Sequence, residues 1–95
     1  MMKIFIHSMF VADSDSRRTE FVVENREPRT LSEIIEEITG GERRVISTMI
    51  DETGCFRPHV AVFFGNEQQR NLGRADITVD KTVDEISIFP ALSGG

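Results

Sequence analysis

The stretch that decides the fold is residues 30–41, which reads TLSEIIEEITGG. Its apolar residues recur three and four positions apart and so form one stripe along an α-helix: Leu31, Ile34, Ile35 and Ile38. Thr30 and Glu33 match the capping box, in which two side chains satisfy two free backbone donors at the first turn. Gly40-Gly41 supplies the left-handed residue that commonly ends a helix. The sequence therefore predicts one amphipathic helix with defined ends.

Two strands are predicted before this helix. Residues 3–10 carry apolar side chains at both even and odd positions, which is typical of a strand buried on both faces. Residues 19–24 alternate more cleanly, with Phe21 and Val23 on the inward face. The polar turn at residues 13–16 joins the two segments into a β-hairpin.

Further elements are predicted after the helix. Gly65-Asn66 offers turn chemistry between two extended segments, which indicates a second hairpin. The predicted elements are a short second helix at residues 42–51 and strands at residues 59–64, 68–72, 77–79 and 85–89. This order places one main helix against one mixed sheet, which buries both apolar faces. We therefore predict an α+β protein with a β-grasp fold and a four- to five-stranded sheet.

Length and charge limit the classes of function. A chain of 95 residues fits one domain, so we predict a single domain over residues 1–95. A net charge of -5 argues against sequence-independent nucleic-acid binding, because such binding relies on basic side chains. No apolar run approaches the roughly 20 residues that span a bilayer. The chain starts directly with a strand pattern and shows no secretory signal, so we predict a cytoplasmic protein without a membrane partner.

No residue pattern indicates intrinsic catalysis, a metal site or a bound cofactor. Cys55 is the single cysteine, which excludes an internal disulfide, and a nucleophilic pair with His59 would need a third, orienting group. His7 and His59 lack metal-ligand spacing. Asp13 and Asp15 lie in a serine-rich turn, where aspartate is favoured for local hydrogen bonds. We predict that the chain is not an enzyme.

The end of the sequence, Ser93-Gly94-Gly95, directly follows the last predicted strand. Two glycines in succession can thread a channel too narrow for side chains and leave a terminal carboxylate sterically open. Pro90 disfavours helix at Phe89 and would direct the chain away from the sheet. We predict a flexible, reactive tail over residues 91–95; simple fraying of the chain end is the alternative.

With these features the chain resembles the ubiquitin-like sulfur-carrier family, the MoaD, ThiS and CysO type. The resemblance covers nearly the whole chain and is most specific in residues 86–95, ISIFPALSGG, and in the turn at residues 64–67, FGNE. It implies that a ubiquitin-activating-like adenylyltransferase, carrying ATP and Mg²⁺, adenylates the Gly95 carboxylate. The resulting thiocarboxylate would then donate sulfur to a biosynthetic enzyme in a cysteine, molybdopterin, thiamine or related pathway.

The resemblance also implies a docking surface for the activating enzyme. Phe89 occupies the family's hydrophobic position before the tail proline, and if Val62 and Ile88 face the helix, strand parity places Phe63 and Phe89 on the same outward face. The alternative is that a neighbouring loop covers both rings or that they fill the edge of the core. The remaining partner-binding residues implied are in the tail: Leu92, Ser93 and Gly94. The first loop and the turn before the last strand differ from the molybdopterin-synthase pattern, which favours the cysteine-pathway type or another relative.

Two other functions agree with the same residues. Gly95 could form an isopeptide bond with target lysines, as in a ubiquitin-like protein modifier. The chain could instead be a noncovalent interaction domain that has the β-grasp fold, because a fold does not define a function.

Overall fold

The structure, a computed structural model, describes residues 1–70 and 72–91. It contains seven strands, two α-helices and one 3₁₀ turn at Ser8–Phe10. In chain order the strands and helices are β1 (Met2–Ile6), β2 (Glu20–Val23), β3 (Arg29–Thr30), α1 (Leu31–Thr39), α2 (Arg43–Met49), β4 (Val60–Phe64), β5 (Glu67–Gln68), β6 (Thr78–Val79) and β7 (Glu85–Pro90).

Five strands form one mixed sheet in the order β2-β1-β7-β4-β5. The central pair, β1 and β7, is parallel, with Ile4 opposite Ile86 and Ile6 opposite Ile88. All other pairs in this sheet are antiparallel. The predicted α+β architecture with a five-stranded mixed sheet is confirmed. The parallel pair joins the first strand of the chain to the last, so the sheet forms only when both ends of the sequence meet.

Helix α1 begins and ends where its sequence predicts. The Thr30 hydroxyl oxygen accepts a hydrogen bond from the Glu33 backbone N–H at 3.2 Å, and the Glu33 carboxylate accepts one from the Thr30 backbone N–H at 3.1 Å. Gly40 has a φ of 66° and ends the helix in the left-handed conformation. Leu31, Ile34 and Ile35 are buried, so the apolar stripe packs into the core.

The core lies between the inner face of the sheet and the two helices. Alternate residues of the central strands are buried on this face, as expected for a sheet covered on one side. Helix α2 adds Val45 and Met49, which confirms the predicted second helix and its apolar side. The inward-facing residues of β1, β4 and β7 that are less than 2% exposed are Met2, Ile4, Ile6, Val62, Ile86 and Ile88.

The first predicted strand is shorter than expected. It ends at Ile6, because the His7 side chain accepts a hydrogen bond from the Met9 backbone N–H through Nδ1 at 3.1 Å and starts the 3₁₀ turn. The predicted substantial burial on both faces holds only in part, since on the outer face Lys3 is exposed and Phe5 is half-buried.

Two later segments also differ from prediction. A strand was expected at residues 68–72, of which residue 71 lies outside the described chain; the described residues form only the two-residue β5, which pairs with Phe63 and Phe64 directly across the turn. The extended piece at residues 77–79 pairs, as β6, with β3 in a separate two-stranded sheet. This pairing holds the segment before α1 against the segment before β7, which the local pattern did not indicate.

Candidate docking surface beside the last strand

An aromatic patch lies on the face of the sheet opposite the helices, and it consists of Phe5, His7, Phe63 and Phe89. Phe89 is at its centre: its ring centroid is 5.4 Å from that of Phe5, 5.8 Å from that of Phe63 and 6.5 Å from that of His7. The Phe63 and Phe89 rings meet edge to face, an arrangement that the aromatic quadrupole favours. The four side chains form one cluster. Phe5 lies in β1, His7 directly follows β1, Phe63 lies in β4 and Phe89 lies in β7.

Strand register explains how the patch assembles. On the outer face Ser87 of β7 pairs with Phe5 of β1 and with Phe63 of β4, so it separates the two rings across the sheet. Phe89 lies two residues further along the same face and pairs with Ala61. Ser87 and Ala61 are small, and both are largely buried beneath the surrounding side chains. Large rings alternating with small residues therefore give the patch its shape.

The two faces of β7 differ in their exposure to solvent. Ile88 is fully buried on the inner face, whereas the next residue, Phe89, is 37% exposed. Apolar surface that the fold leaves in contact with water is a common feature of interaction sites. The structure therefore places Phe89 and Phe63 on the outward face that strand parity predicted. Their partner-binding role stays a prediction.

Phe5 and His7 were not among the predicted site residues. Their parity on β1 is the same as that of Phe89 on β7, and this was the available signal. It becomes informative only once β1 is known to lie beside β7, because the parallel pairing brings the two outer faces into line.

The chain leaves the sheet beside this patch. Pro90 still pairs with Val60 of β4, and the Ala91 backbone N–H donates to the His59 carbonyl oxygen at 2.6 Å. Ala91, the first residue of the predicted flexible tail, is thus hydrogen-bonded to the residue that precedes β4. The other predicted tail and site residues lie outside the described part of the chain: Leu92, Ser93, Gly94 and Gly95.

Protein-family models and curated protein sequences give no match to the chain. A solved structure does match: the crystal structure of SAMP1 from Haloferax volcanii aligns with a TM-score of 0.60 at 22% sequence identity, covering 99% of this chain and 98% of that chain. The chain has the ubiquitin-like β-grasp fold. At this level of identity the similarity establishes the fold, and activity must come from the site.

Across residues 1–70 and 72–91, no group of three or more His, Cys, Asp or Glu side chains could hold a metal ion. The exposed His59 has its ring centroid 6.1 Å from that of Phe10, while His7 belongs to the aromatic patch. Cys55 is half-buried and forms an isolated backbone bridge with Arg74.

The lowered pKa of one carboxylate near Cys55 has a local cause. The Asp51 side chain accepts hydrogen bonds from the Thr53 hydroxyl at 2.6 Å, the Thr53 backbone N–H at 2.9 Å and the Cys55 backbone N–H at 3.1 Å. These bonds favour the charged form and hold the pKa of Asp51 below its usual value, with the Thr53 hydroxyl the largest cause. Asp51 thus shapes the turn at residues 51–55.

Within residues 1–70 and 72–91, neither α1 nor α2 is long and apolar enough to cross a membrane.

Proposed function

We propose that this chain is a ubiquitin-like carrier protein whose Gly95 carboxylate is activated by a separate enzyme and converted to a thiocarboxylate. The observation that carries the proposal is the position of the aromatic patch. It lies on the outer face of the strand that leads directly to Gly94-Gly95, so one enzyme could bind the patch and the tail at the same time.

The chemistry asks little of the carrier itself. An oxygen of the Gly95 carboxylate would attack the α-phosphorus of ATP on the activating enzyme, forming an acyl-adenylate and releasing pyrophosphate. A sulfide-equivalent nucleophile would then attack the acyl carbon and displace AMP, leaving a thiocarboxylate. ATP and Mg²⁺ belong to the enzyme. The carrier contributes a recognisable surface and a carboxylate without a neighbouring side chain.

Partner recognition through the patch has a physical basis. Aromatic side chains carry large contact areas at small conformational-entropy cost and dominate the energetics of many protein interfaces. Phe89 packs beside three other rings, which restricts the rotamers open to its side chain before a partner binds. Part of the ordering cost of binding is thereby avoided.

Intact-mass spectrometry of the protein from its native cells tests this function. A thiocarboxylate adds roughly 16 Da, and because oxidation of methionine adds nearly the same mass, the change must be localised to Gly95 by fragmentation. Four methionines make this control necessary. Reconstitution with ATP, the activating enzyme and ³⁴S-sulfide should add the heavy isotope at Gly95. An unmodified Gly95 under both conditions would contradict the proposal.

Conjugation to lysine is the second candidate, because an activated Gly95 carboxylate on a β-grasp fold could equally acylate a target lysine. Lys81 is the last trypsin site of this sequence, so a target lysine would carry the remnant 82–95 after digestion. A Ser93→Arg variant would shorten that remnant to Gly-Gly and make it easy to detect. Such remnants on cellular proteins would favour the modifier.

Deletion of Gly94-Gly95 distinguishes a noncovalent interaction domain from a carrier and from a protein modifier. An interaction domain keeps its activity after this deletion, whereas a carrier or a modifier loses it.

A further inference from the structure

A cavity of about 540 Å³ opens beside the point where the chain leaves the sheet. Ala91, the last described residue, lines it together with Val60 at the start of β4. Val60 pairs with Pro90, which Ala91 follows in the chain. The next pair along the two strands is Ala61 with Phe89 of the aromatic patch. The cavity and the aromatic patch are therefore adjacent along both β4 and β7.

The lining of this cavity is positively charged. It includes Arg57 and Arg70, and none of the described residues that line it is acidic. The whole chain has a net charge of -5. A cavity lined by two guanidinium groups and no carboxylate therefore differs in charge from the molecule as a whole. Within the described residues neither arginine forms a salt bridge; those present involve Arg26, Arg29 and Arg74.

The two arginines differ in how freely they could bind. Arg57 is half-buried, and its Nε donates to the Ser47 carbonyl oxygen at 2.7 Å, which orients the side chain. The Arg57 charge is also the smallest cause of the lowered pKa of Asp51, so Arg57 already interacts with one carboxylate of this chain. Arg70 is exposed. Arg70 is therefore the residue on which binding of an anion should depend most.

The remaining lining indicates a peptide as the ligand. Gln68 and Gln69 lie beside Arg70, and their side-chain amides can donate to and accept from a peptide backbone. Phe56, Val60 and Leu72 provide apolar contacts in the same cavity. An apolar centre with polar, charged surroundings is the usual composition of a protein interface. A small free phosphate could accept hydrogen bonds from the arginines and the glutamine amides, but it would leave the apolar lining uncovered.

We propose that this cavity binds an acidic segment of the enzyme that activates the tail. The inference rests on the proposed function above. The acidic segment would pair with Arg70 and Arg57 while the aromatic patch docks beside it, so that the partner contacts both sides of the strand end from which the tail departs. Arginine is suited to this role because its planar fork matches carboxylates.

A titration of the whole ¹⁵N-labelled protein with an acetylated hexaglutamate peptide tests the cavity directly, with hexaglutamine as the neutral control. We expect saturable shifts of the Arg70, Gln69 and Ala91 amides with hexaglutamate only. Affinity should fall by about tenfold in Arg70→Glu and should weaken as salt rises, because exposed charge pairs are screened. Arg43→Glu makes the same charge change on α2, away from the cavity, and should keep wild-type affinity.

Several outcomes would overturn the proposal. One is the absence of shifts at the cavity. Another is equal loss of affinity in Arg70→Glu and Arg43→Glu, which would mean nonspecific charge attraction. Shifts at the cavity with inorganic phosphate but not with hexaglutamate would identify a phosphate site instead. Thermal melts of both variants, with Arg70→Gln as a milder change, exclude unfolding as the cause.

Kinetics with the activating enzyme give the second readout. Arg70→Glu should raise the KM for the carrier by about tenfold with kcat little changed, because a peripheral charge acts on binding rather than on the chemical step. Arg43→Glu should match the wild type, and identical KM values for all three proteins would contradict the inference. If the wild-type chain is never adenylated, the proposed function fails, while the hexaglutamate titration still decides what the cavity binds.

Discussion

Phe89 has the most exposed phenylalanine ring in the described chain, yet three other rings surround it. Its ring therefore packs beside other side chains and is still partly accessible to solvent. This combination distinguishes it at the residue scale from Val22, which is 53% exposed on the edge strand β2. Both side chains expose apolar surface, but only Phe89 lies beside the start of the tail.

Replacing Phe89 with alanine should reduce recognition far more than stability. Loss of the ring contacts should cost about 1–2 kcal/mol of unfolding free energy, because the ring is partly exposed. The KM for adenylation should rise by about tenfold or more, as expected for a central aromatic anchor. Pyrophosphate exchange and thermal melts measure the two effects. Val22→Ala is the control, and activity that falls only in step with melting temperature would refute the docking role.

Glu33 makes stability depend on pH through the capping box. Hydrogen bonds from the Thr30 hydroxyl, at 2.8 Å, and the Thr30 backbone N–H hold the pKa of Glu33 below its usual value. A lowered folded-state pKa stabilises the fold above the unfolded pKa of about 4.3, and this stabilisation is lost as pH falls through the folded pKa. The stabilisation from Glu33 is therefore fully present at neutral pH and changes only under acidic conditions.

Urea unfolding at a series of pH values from neutral into acid should detect this contribution. Glu33→Gln should flatten the acidic part of the stability curve, whereas Thr30→Ala should both flatten it and cost about 1 kcal/mol at neutral pH through loss of the N-cap. The two effects should be non-additive in the double variant, since the side chains share one interaction. Parallel curves for wild type and Glu33→Gln would show that the hydrogen bonds do not persist in solution.

At the scale of elements, the end of α1 depends on backbone conformation rather than on packing. Gly40 has a positive φ, and a Cβ placed on it would meet nothing within 4 Å. Gly40→Ala should therefore cost about 1 kcal/mol purely through the left-handed conformation. Gly73 also has open space around it but no positive φ, so Gly73→Ala should change stability by less than about 0.5 kcal/mol. Equal values in denaturant unfolding would contradict this explanation.

At the scale of the whole molecule, β7 joins the two halves of the sheet. It pairs with β1 on one side and β4 on the other and places Ile86 and Ile88 in the core. A chain that ends at Ala91 keeps all of these contacts and should melt within about 2 °C of the full chain. A chain that ends at Asp84 should not fold, as circular dichroism would show. A folded 1–84 fragment would mean that β7 is dispensable.

The sequence by itself determined helix α1, the inward residues of β2 and the outward parity of Phe63 and Phe89. These features depend on neighbours within about four residues, through capping hydrogen bonds and through the periods of helix and strand. Periodicity is a weaker guide where one local hydrogen bond intervenes. The His7 side chain ends β1 in this way, and alternation of apolar residues could not reveal it.

Only the tertiary structure decided which strands are neighbours. The parallel pairing of β1 with β7 joins residues 2–6 to residues 85–90, and the β3–β6 pairing joins two segments with no strong strand pattern. The aromatic patch and the arginine-lined cavity both result from such contacts, since their residues come from distant parts of the chain. Local propensity describes each segment alone, whereas these sites depend on the free energy of packing the segments together, and that energy has no local signature in the sequence.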